Sequence, residues 1–261
     1  MIFDTHIHLN DEKLLRNLDS YLKEAREIGV NYFLCVGWDI ESSKKAIELS
    51  EKYEGIYVAI GIMPTEWKQY NNNSIEQLRK LANHPKVVAI GEIGLDYYWE
   101  KTEEIKTIQK KMLIEEIELA NELNLPVTIH CREAYQDCLN IFKSFHVKNK
   151  SVMHCYSGSY ELSKEFIKEN FVLAFGGTLT YKNSINTQNV FDKTDIQNIV
   201  FETDAPYLPP QRHRGETNLP KYIYDTILYA SNRKKIDINT LEEITFKTSE
   251  NIFHVKKQYE N

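Results

Sequence analysis

The opening residues Asp4-Thr5-His6-Ile7-His8 place two imidazoles two positions apart. In a β-strand alternate side chains share a face, so Asp4, His6 and His8 point one way and Thr5 and Ile7 the other. Two imidazoles so arranged can chelate one metal ion. The same alternation selects further donors near the ends of other apolar runs. In Val88-Ala89-Ile90-Gly91-Glu92, the Glu92 carboxylate shares a face with Ile90. His130 closes Val127-Thr128-Ile129-His130, and His154 closes Val152-Met153-His154. In Val200-Phe201-Glu202-Thr203-Asp204, Glu202 and Asp204 share a face, with Asp204 at the end. Six such donors suit two divalent ions better than one. Imidazole favours zinc, manganese, iron or nickel, and carboxylate adds magnesium and manganese. We assign His6, His8 and Asp204 to one ion and His130 and His154 to the other, with Glu92 shared through its two oxygens. Open positions then remain for water and substrate, as a catalytic site requires. Glu202, one pleat below Asp204, is read as orienting a ligand histidine through its free ring N–H. The plainer alternative is a buried carboxylate that serves only structure.

These donors can meet only if the ends of several strands converge. Short β-rich runs occur at Ile2–His8, Tyr32–Gly37, Tyr57–Ile62, Val87–Gly94, Val127–Cys131, Ser151–Tyr156, Val172–Leu179 and Ile199–Thr203. Between them lie segments with apolar residues at helical spacing. The clearest is Glu103–Asn124, with Ile105, Ile108, Met112, Ile117, Leu119 and Leu123 on one side. Others are Leu18–Ile28, Ser43–Tyr53, Ile75–Leu81, Tyr135–Phe145, Glu161–Glu169 and Ile185–Phe191, followed by two more near Tyr222–Asn232 and Thr240–Phe253. Asn73 or Ser74 is expected to cap one helix and Ser159 another. Eight βα units with no break in composition predict an α/β fold, a (β/α)8 TIM barrel forming one domain over residues 1–261. A doubly wound open sheet is the alternative, but it gathers its chemistry at one switch point. A barrel instead brings the ends of strands one, four, five, six and eight to a single mouth.

The bulk properties agree with such an enzyme. The chain has 261 residues, 42% hydrophobic and 27% charged, which is ordinary globular composition. No apolar run approaches the roughly 18 residues that span a bilayer, so no membrane partner is expected. Met1-Ile2-Phe3-Asp4 lacks the basic-then-apolar pattern of a signal peptide. Cys35, Cys131, Cys138 and Cys155 form no CxxC pair and read as reduced thiols, so a cytoplasmic location is expected. The net charge of −6 excludes a protein that blankets nucleic acid with a basic surface. A phosphate-bearing substrate would have to be held locally.

Five stretches together resemble one known family. They are Asp4-Thr5-His6-Ile7-His8-Leu9, Gly91-Glu92-Ile93-Gly94-Leu95-Asp96-Tyr97, Leu125 to Ala134 around His130, His154-Cys155-Tyr156-Ser157-Gly158-Ser159 and Glu202-Thr203-Asp204-Ala205-Pro206-Tyr207-Leu208. They are similar to the motifs of TatD-type metal-dependent deoxyribonucleases, within the amidohydrolase-like barrels. The match runs in order from residue 2 to about 220 and includes Arg214-Gly215 and Asn218-Leu219-Pro220. The resemblance implies metal ligands at His6, His8, Glu92, His130, His154 and Asp204, the set that alternation selects. It implies hydrolysis of DNA phosphodiesters, as an exonuclease on single strands or ends, with two divalent ions (zinc, magnesium or manganese). One departure stands out: where the family has Gly-x-His-Pro, this chain has Gly61-Ile62-Met63-Pro64. A thioether is a poor partner for phosphate or a hard metal.

A bound divalent ion lowers the pKa of water toward about 7, and Asp204 is expected to accept a proton from that water. Glu92 and Asp204 are therefore the expected catalytic pair. Arg132 shares the inward parity of His130 and suits a phosphate through its planar fork; a salt bridge to Glu133 is the plain alternative. Arg214 and Tyr97 are the other expected substrate contacts. Tyr97, Trp99 and Tyr207 flank the predicted mouth, either as base-stacking rings or as ordinary rim packing. Gly176-Gly177 ends the seventh strand where barrels often bind phosphate, or is simply a turn. His84, His146, His213 and His254 receive no metal role, although His213 and Arg214 are expected to touch substrate. The competing reading is an amidohydrolase-type enzyme that cleaves an amide or ester of a small substrate. A metal-binding protein without catalysis is a third. Cationic donors at the rim discriminate the first two.

Overall fold

A computed structural model describes residues 1–255. Eight parallel strands pair in sequence order: β1 (Ile2–Ile7), β2 (Val30–Val36), β3 (Ile56–Ile60), β4 (Val87–Asp96), β5 (Val127–Arg132), β6 (Ser151–Met153), β7 (Phe171–Phe175) and β8 (Ile199–Phe201). The connecting helices are α1 (Glu12–Leu15), α2 (Leu18–Glu27), α3 (Ile40–Lys52), α4 (Ser74–Leu81), α5 (Glu103–Leu123), α6 (Tyr135–Phe145), α7 (Tyr160–Lys168) and α8 (Ile185–Lys193), with α9 (Ile223–Lys234) and α10 (Ile238–Phe253) after the last strand. The last strand returns beside the first. Along this seam the Thr5 hydroxyl donates to the Phe201 carbonyl, the Asp204 N–H to the His6 carbonyl and the His8 N–H to the Ala205 carbonyl, at 2.8–2.9 Å. The fold is the expected (β/α)8 barrel.

Two apolar layers build it. Val36, Ala59, Ala89, Val152, Val172, Ala174 and Val200 form one buried cluster along the strands. Val152 and Val200 stand two residues before His154 and Glu202, so the alternation that buries them also turns those polar groups inward. Phe246 of α10 packs edge-on against Tyr32 with centroids 5.1 Å apart, and Phe253 lies 5.6 Å from Phe3. The C-terminal helix thus closes the end of the barrel where the strands begin. The opposite strand faces pack on the helices through a larger cluster that includes Phe33, Ile60, Ile90, Ile117, Phe142 and Phe191.

Helix starts follow local hydrogen-bonding chemistry. Ser159 accepts from the Leu162 N–H and caps α7 as expected, and Asp39 and Ser42 form a reciprocal capping box on α3. At α4 the expectation is corrected: Asn73 makes no capping bond, and Ser74 Oγ instead accepts from the Asn71 N–H. Six strands end earlier than the apolar runs suggest: β1 and β2 by one residue, β3 by two, at Ile60, and three more as follows. β6 stops at Met153, β7 at Phe175 and β8 at Phe201. Gly177–Thr180 is a 3-10 turn rather than strand, because Gly177 packs so closely on the Leu208–Pro210 backbone that a Cβ there would collide.

Candidate metal centre

The structure brings His6, His8, Glu92, His130, His154 and Asp204 into one cluster at the end where the strands finish. Glu92 stands at its middle. Its Oε2 lies 3.6 Å from His6 Nε2 and 3.9 Å from His8 Nε2. Its Oε1 lies 2.8 Å from His130 Nδ1 and 3.9 Å from His154 Nε2. Asp204 Oδ1 is 3.4 Å from His8 Nε2 and 3.9 Å from both His6 Nε2 and His154 Nε2. His6 and His154 stack with ring centroids 3.5 Å apart.

Local departures from regular strand geometry aim these groups. The β1–β2 register shifts between Asp4 and Ile7, where His6 sits, and the β4–β5 register shifts between Ile90 and Ile93, where Glu92 sits. Bulges of this kind re-aim side chains beside functional sites. Gly94 pairs with His130, has a φ of 149°, and leaves no room for a Cβ against the His130 carbonyl, so only glycine permits this approach of β4 to β5. Asp204 lies three residues beyond β8 with a φ of 56°, and its N–H is held by His6. Asp4 fastens the same corner: its carboxylate accepts from the Thr203 N–H at 2.9 Å and the Thr203 hydroxyl at 2.6 Å.

Each imidazole has a defined partner. The His8 Nδ1–H donates to the Val36 carbonyl at 3.1 Å, which leaves Nε2 toward the cluster. Trp38 and Tyr207 meet the His8 ring edge-on at 5.4 and 5.9 Å. The His154 Nδ1–H donates to Glu202 Oε2 at 2.9 Å, while Glu202 Oε1 accepts from the Cys155 N–H. Glu202 therefore stands where the sequence reading put it, behind a histidine. His130 differs, because its Nε2 lies 2.9 Å from Asp96 Oδ2 while its Nδ1 faces Glu92. Asp96 was missed, yet the signal was present: Glu92, Gly94 and Asp96 share the inward parity of β4.

Electrostatics tie the group together. Burial works against every charge here. Burial pushes the imidazolium forms of His130 and His154 down, but the surrounding carboxylates win and raise them to about 9 and about 10. Burial likewise opposes ionisation of Glu92 and Asp204, and the histidine hydrogen bonds and charges hold both below the ordinary range. Burial, supplemented by the charge of Glu202, pushes Asp4 up to about 8 against its Thr203 hydrogen bonds.

The donor set fits a divalent cation. His6 is fully buried, its Nδ1 has no hydrogen-bond partner among the described residues, and its Nε2 lies 3.4 Å from His8 Nε2. Converging nitrogen lone pairs and carboxylate oxygens at this depth are costly unless a proton or a cation lies between them. His6, His8 and Glu92 form one group with donor atoms near enough to share an ion, and His6, His154 and Glu202 form another.

The other expected site residues divide. Arg132 follows His130 at the exposed end of β5, its guanidinium 3.7 Å from the Tyr98 ring centroid, and it makes no ion pair with Glu133 or any other described acid. Arg214 lies 4.6 Å from the Tyr181 ring, likewise without an ion pair among the described residues. Tyr97 is placed on the helical side, where its hydroxyl donates to Asp137 of α6 at 2.8 Å. The physical reason is alternation itself, since Asp96 points inward and its neighbour must point outward. His213 is occupied by structure: Asp225 and Glu216 take its two nitrogens and Tyr222 stacks on it at 3.6 Å. Met63 donates its N–H to the Trp38 carbonyl and opens the 3-10 turn Pro64–Gln69. Among the described residues no helix is long and apolar enough to cross a membrane.

Comparisons with known proteins converge on one family. A family profile described as TatD related DNase matches residues 3–254. An uncharacterized metal-dependent hydrolase of Bacillus subtilis, YabD, is 36% identical over 256 residues, covering 98% of this chain and all of that protein. The Escherichia coli hydrolase YcfH, also described as uncharacterized and metal-dependent, is 30% identical and covers 97% of this chain and 96% of its own. Among solved structures, the TatD homologue YjjV of Escherichia coli K12 superposes with a TM-score of 0.92 at 26% identity, covering 98% of both chains. The chain belongs to the TatD family of metal-dependent hydrolases.

Proposed function

We infer that this protein hydrolyses phosphodiester bonds of DNA, acting on single strands or ends, with two divalent ions held by His6, His8, Glu92, His130, His154 and Asp204. The observation that carries the reading is the pairing of a buried six-donor cluster with two rim arginines, Arg132 and Arg214, that no described carboxylate neutralises. A neutral amide needs no such cations, whereas a phosphodiester does. The description of the family as TatD related DNase supports the same substrate class. When bound, divalent ions supply electrophilic activation of the phosphoryl group and of water.

The chain's own residues do the rest. Glu92 presents one oxygen to the His6–His8 half and the other to the His130–His154 half, so it joins the two. Asp204, ionised and within reach of both halves, accepts the proton that water loses on attack. Glu202 holds the His154 ring so that Nε2 faces inward. Arg132 and Arg214 hold the phosphate of the incoming strand. Trp38 and Tyr207 wall the His8 side and reduce access of bulk water.

The test is metal analysis of the purified protein, followed by assay of the metal-loaded form on single-stranded DNA, duplex DNA and a simple phosphodiester. His130→Ala and Asp204→Ala serve as controls. We expect cleavage of DNA and a loss on the order of a hundredfold or more in each variant. Full activity in both variants, or cleavage of amides with no phosphodiester, overturns the reading.

A further inference from the structure

Beside the metal centre the β4–α5 loop carries a feature that the hydrolytic chemistry does not use. Trp99 is 65% exposed, against 45% for Tyr207, the next most exposed aromatic residue described. Burying a tryptophan is normally among the larger favourable contributions of a side chain. Here it stays exposed on a turn whose backbone is fixed. Asp96 Oδ1 accepts from the Tyr98 N–H at 2.9 Å and the Trp99 N–H at 3.1 Å, while Tyr97 N–H donates to the Arg132 carbonyl at 2.9 Å. The turn is thus pinned on both sides, and its indole stands out from the mouth. The indole N–H has no hydrogen-bond partner among the described residues, in contrast to Trp67, whose N–H donates to Glu100.

The neighbours of Trp99 are cationic and aromatic. Tyr98 meets it edge-on with centroids 4.8 Å apart. The Arg132 guanidinium lies over the Tyr98 ring at 3.7 Å and 5.6 Å from the Trp99 centroid, and Lys101 lies 5.7 Å from Tyr98. A guanidinium whose face rests on an aromatic ring keeps its N–H edge for a planar oxyanion. The other oxygen of the Asp96 carboxylate that pins this turn is 2.9 Å from His130 Nε2. One carboxylate therefore sets both the aromatic turn and a member of the donor cluster.

We propose that Trp99, with Arg132 beside it, forms a nucleotide subsite at the rim: the indole stacks on one unpaired base and the guanidinium holds a phosphate of the same strand. The proposal rests on the phosphodiester reading above and deepens it by naming what selects single strands. An unpaired base offers a free π-face, whereas a paired and stacked base does not. Stacking of this kind tolerates any base, so the subsite selects strandedness rather than sequence.

The experiment measures equilibrium binding, by fluorescence anisotropy, of the metal-loaded protein to nuclease-resistant phosphorothioate octamers, one of thymidine and one abasic. We expect the wild type to bind the thymidine octamer about tenfold more tightly than the abasic one. Trp99→Ala erases that preference and Trp99→Phe keeps most of it. Arg132→Ala weakens both octamers alike and lowers the salt dependence of binding by about one ion. A preference that survives Trp99→Ala, or wild-type binding indifferent to bases, overturns the subsite. Cleavage of ordinary DNA is scored in parallel: a protein that binds bases through Trp99 but cuts no phosphodiester keeps the subsite and fails the catalytic reading, and a protein that cuts DNA without base preference does the reverse.

Discussion

His154 and His130 both face Oε1 of Glu92, at 3.9 and 2.8 Å, and each has a carboxylate behind it, yet the two arrangements differ. Glu202 takes the Nδ1–H of His154 and leaves Nε2 open toward Glu92 and Asp204, both 3.9 Å away. Asp96 takes Nε2 of His130 while Glu92 holds Nδ1, so both nitrogens are engaged. His154 is preorganised to donate to a cation. His130 must release one carboxylate before it can. On the proposed metal-binding reading, the Glu202 side offers a ready nitrogen, and the Asp96 side offers one only after a carboxylate has let go.

The largest expected effect comes from removing what the two sides share. Glu92→Gln should lower kcat/KM on the order of a thousandfold and reduce bound metal in both halves. Loss of metal from one half only would mean that Glu92 does not join them. Next, Glu202→Gln should weaken metal affinity by about 10- to 100-fold, because a ligand histidine loses its orienting acceptor. Asp96→Asn should cost less, since it also removes a competitor for His130 Nε2. Equal losses, read by titration calorimetry, would erase the distinction between the two sides.

The pH dependence sharpens it further. His130 and His154 are raised to about 9 and about 10, so without metal the folded state holds protons that the unfolded chain, titrating near 6.5, has released. That stabilisation is complete below about pH 6.5 and is lost as pH rises through 9 to 10. Metal-free protein should therefore become easier to denature between pH 7 and 10. Metal affinity should rise over the same interval, because a cation must displace those protons. A metal-free protein whose urea midpoint is flat or rising over that window contradicts the assignment. The smallest effect concerns Tyr97, which faces the helices. Tyr97→Phe should cost about 1 kcal/mol of stability through its lost bond to Asp137, with KM unchanged. A several-fold rise in KM would return this residue to the substrate side.

Strand alternation made much of this legible. Period-two patterning is set by backbone geometry, so it predicted that His6 and His8 share a face and that His130 faces inward, and eight such runs predicted the barrel; Glu92 has the parity of Ile90, which packs on the helices, and turns inward only through the register shift between Ile90 and Ile93. It succeeded at Asp204 for a different local reason. That residue lies past β8 with a left-handed φ, and its position is fixed by hydrogen bonds across the seam rather than by pleating. Applied one step further, the same rule would have found Asp96 and turned Tyr97 away. Trp38 was illegible, because it reaches His8 from the loop after β2, where no period exists. The four-residue α1 was too short to show one.

The seam between the first and last strands has a consequence for how the protein comes into being. His6 arrives at the start of translation, but the Asp204 N–H that braces it, and the Thr203 groups that hold Asp4, are made some two hundred residues later. A chain that stops short of Thr203 holds five of the six donors but lacks Asp204 and the bonds that brace His6 and Asp4. The corner that positions Asp4, His6 and Asp204 is thereby set only once the ring has closed.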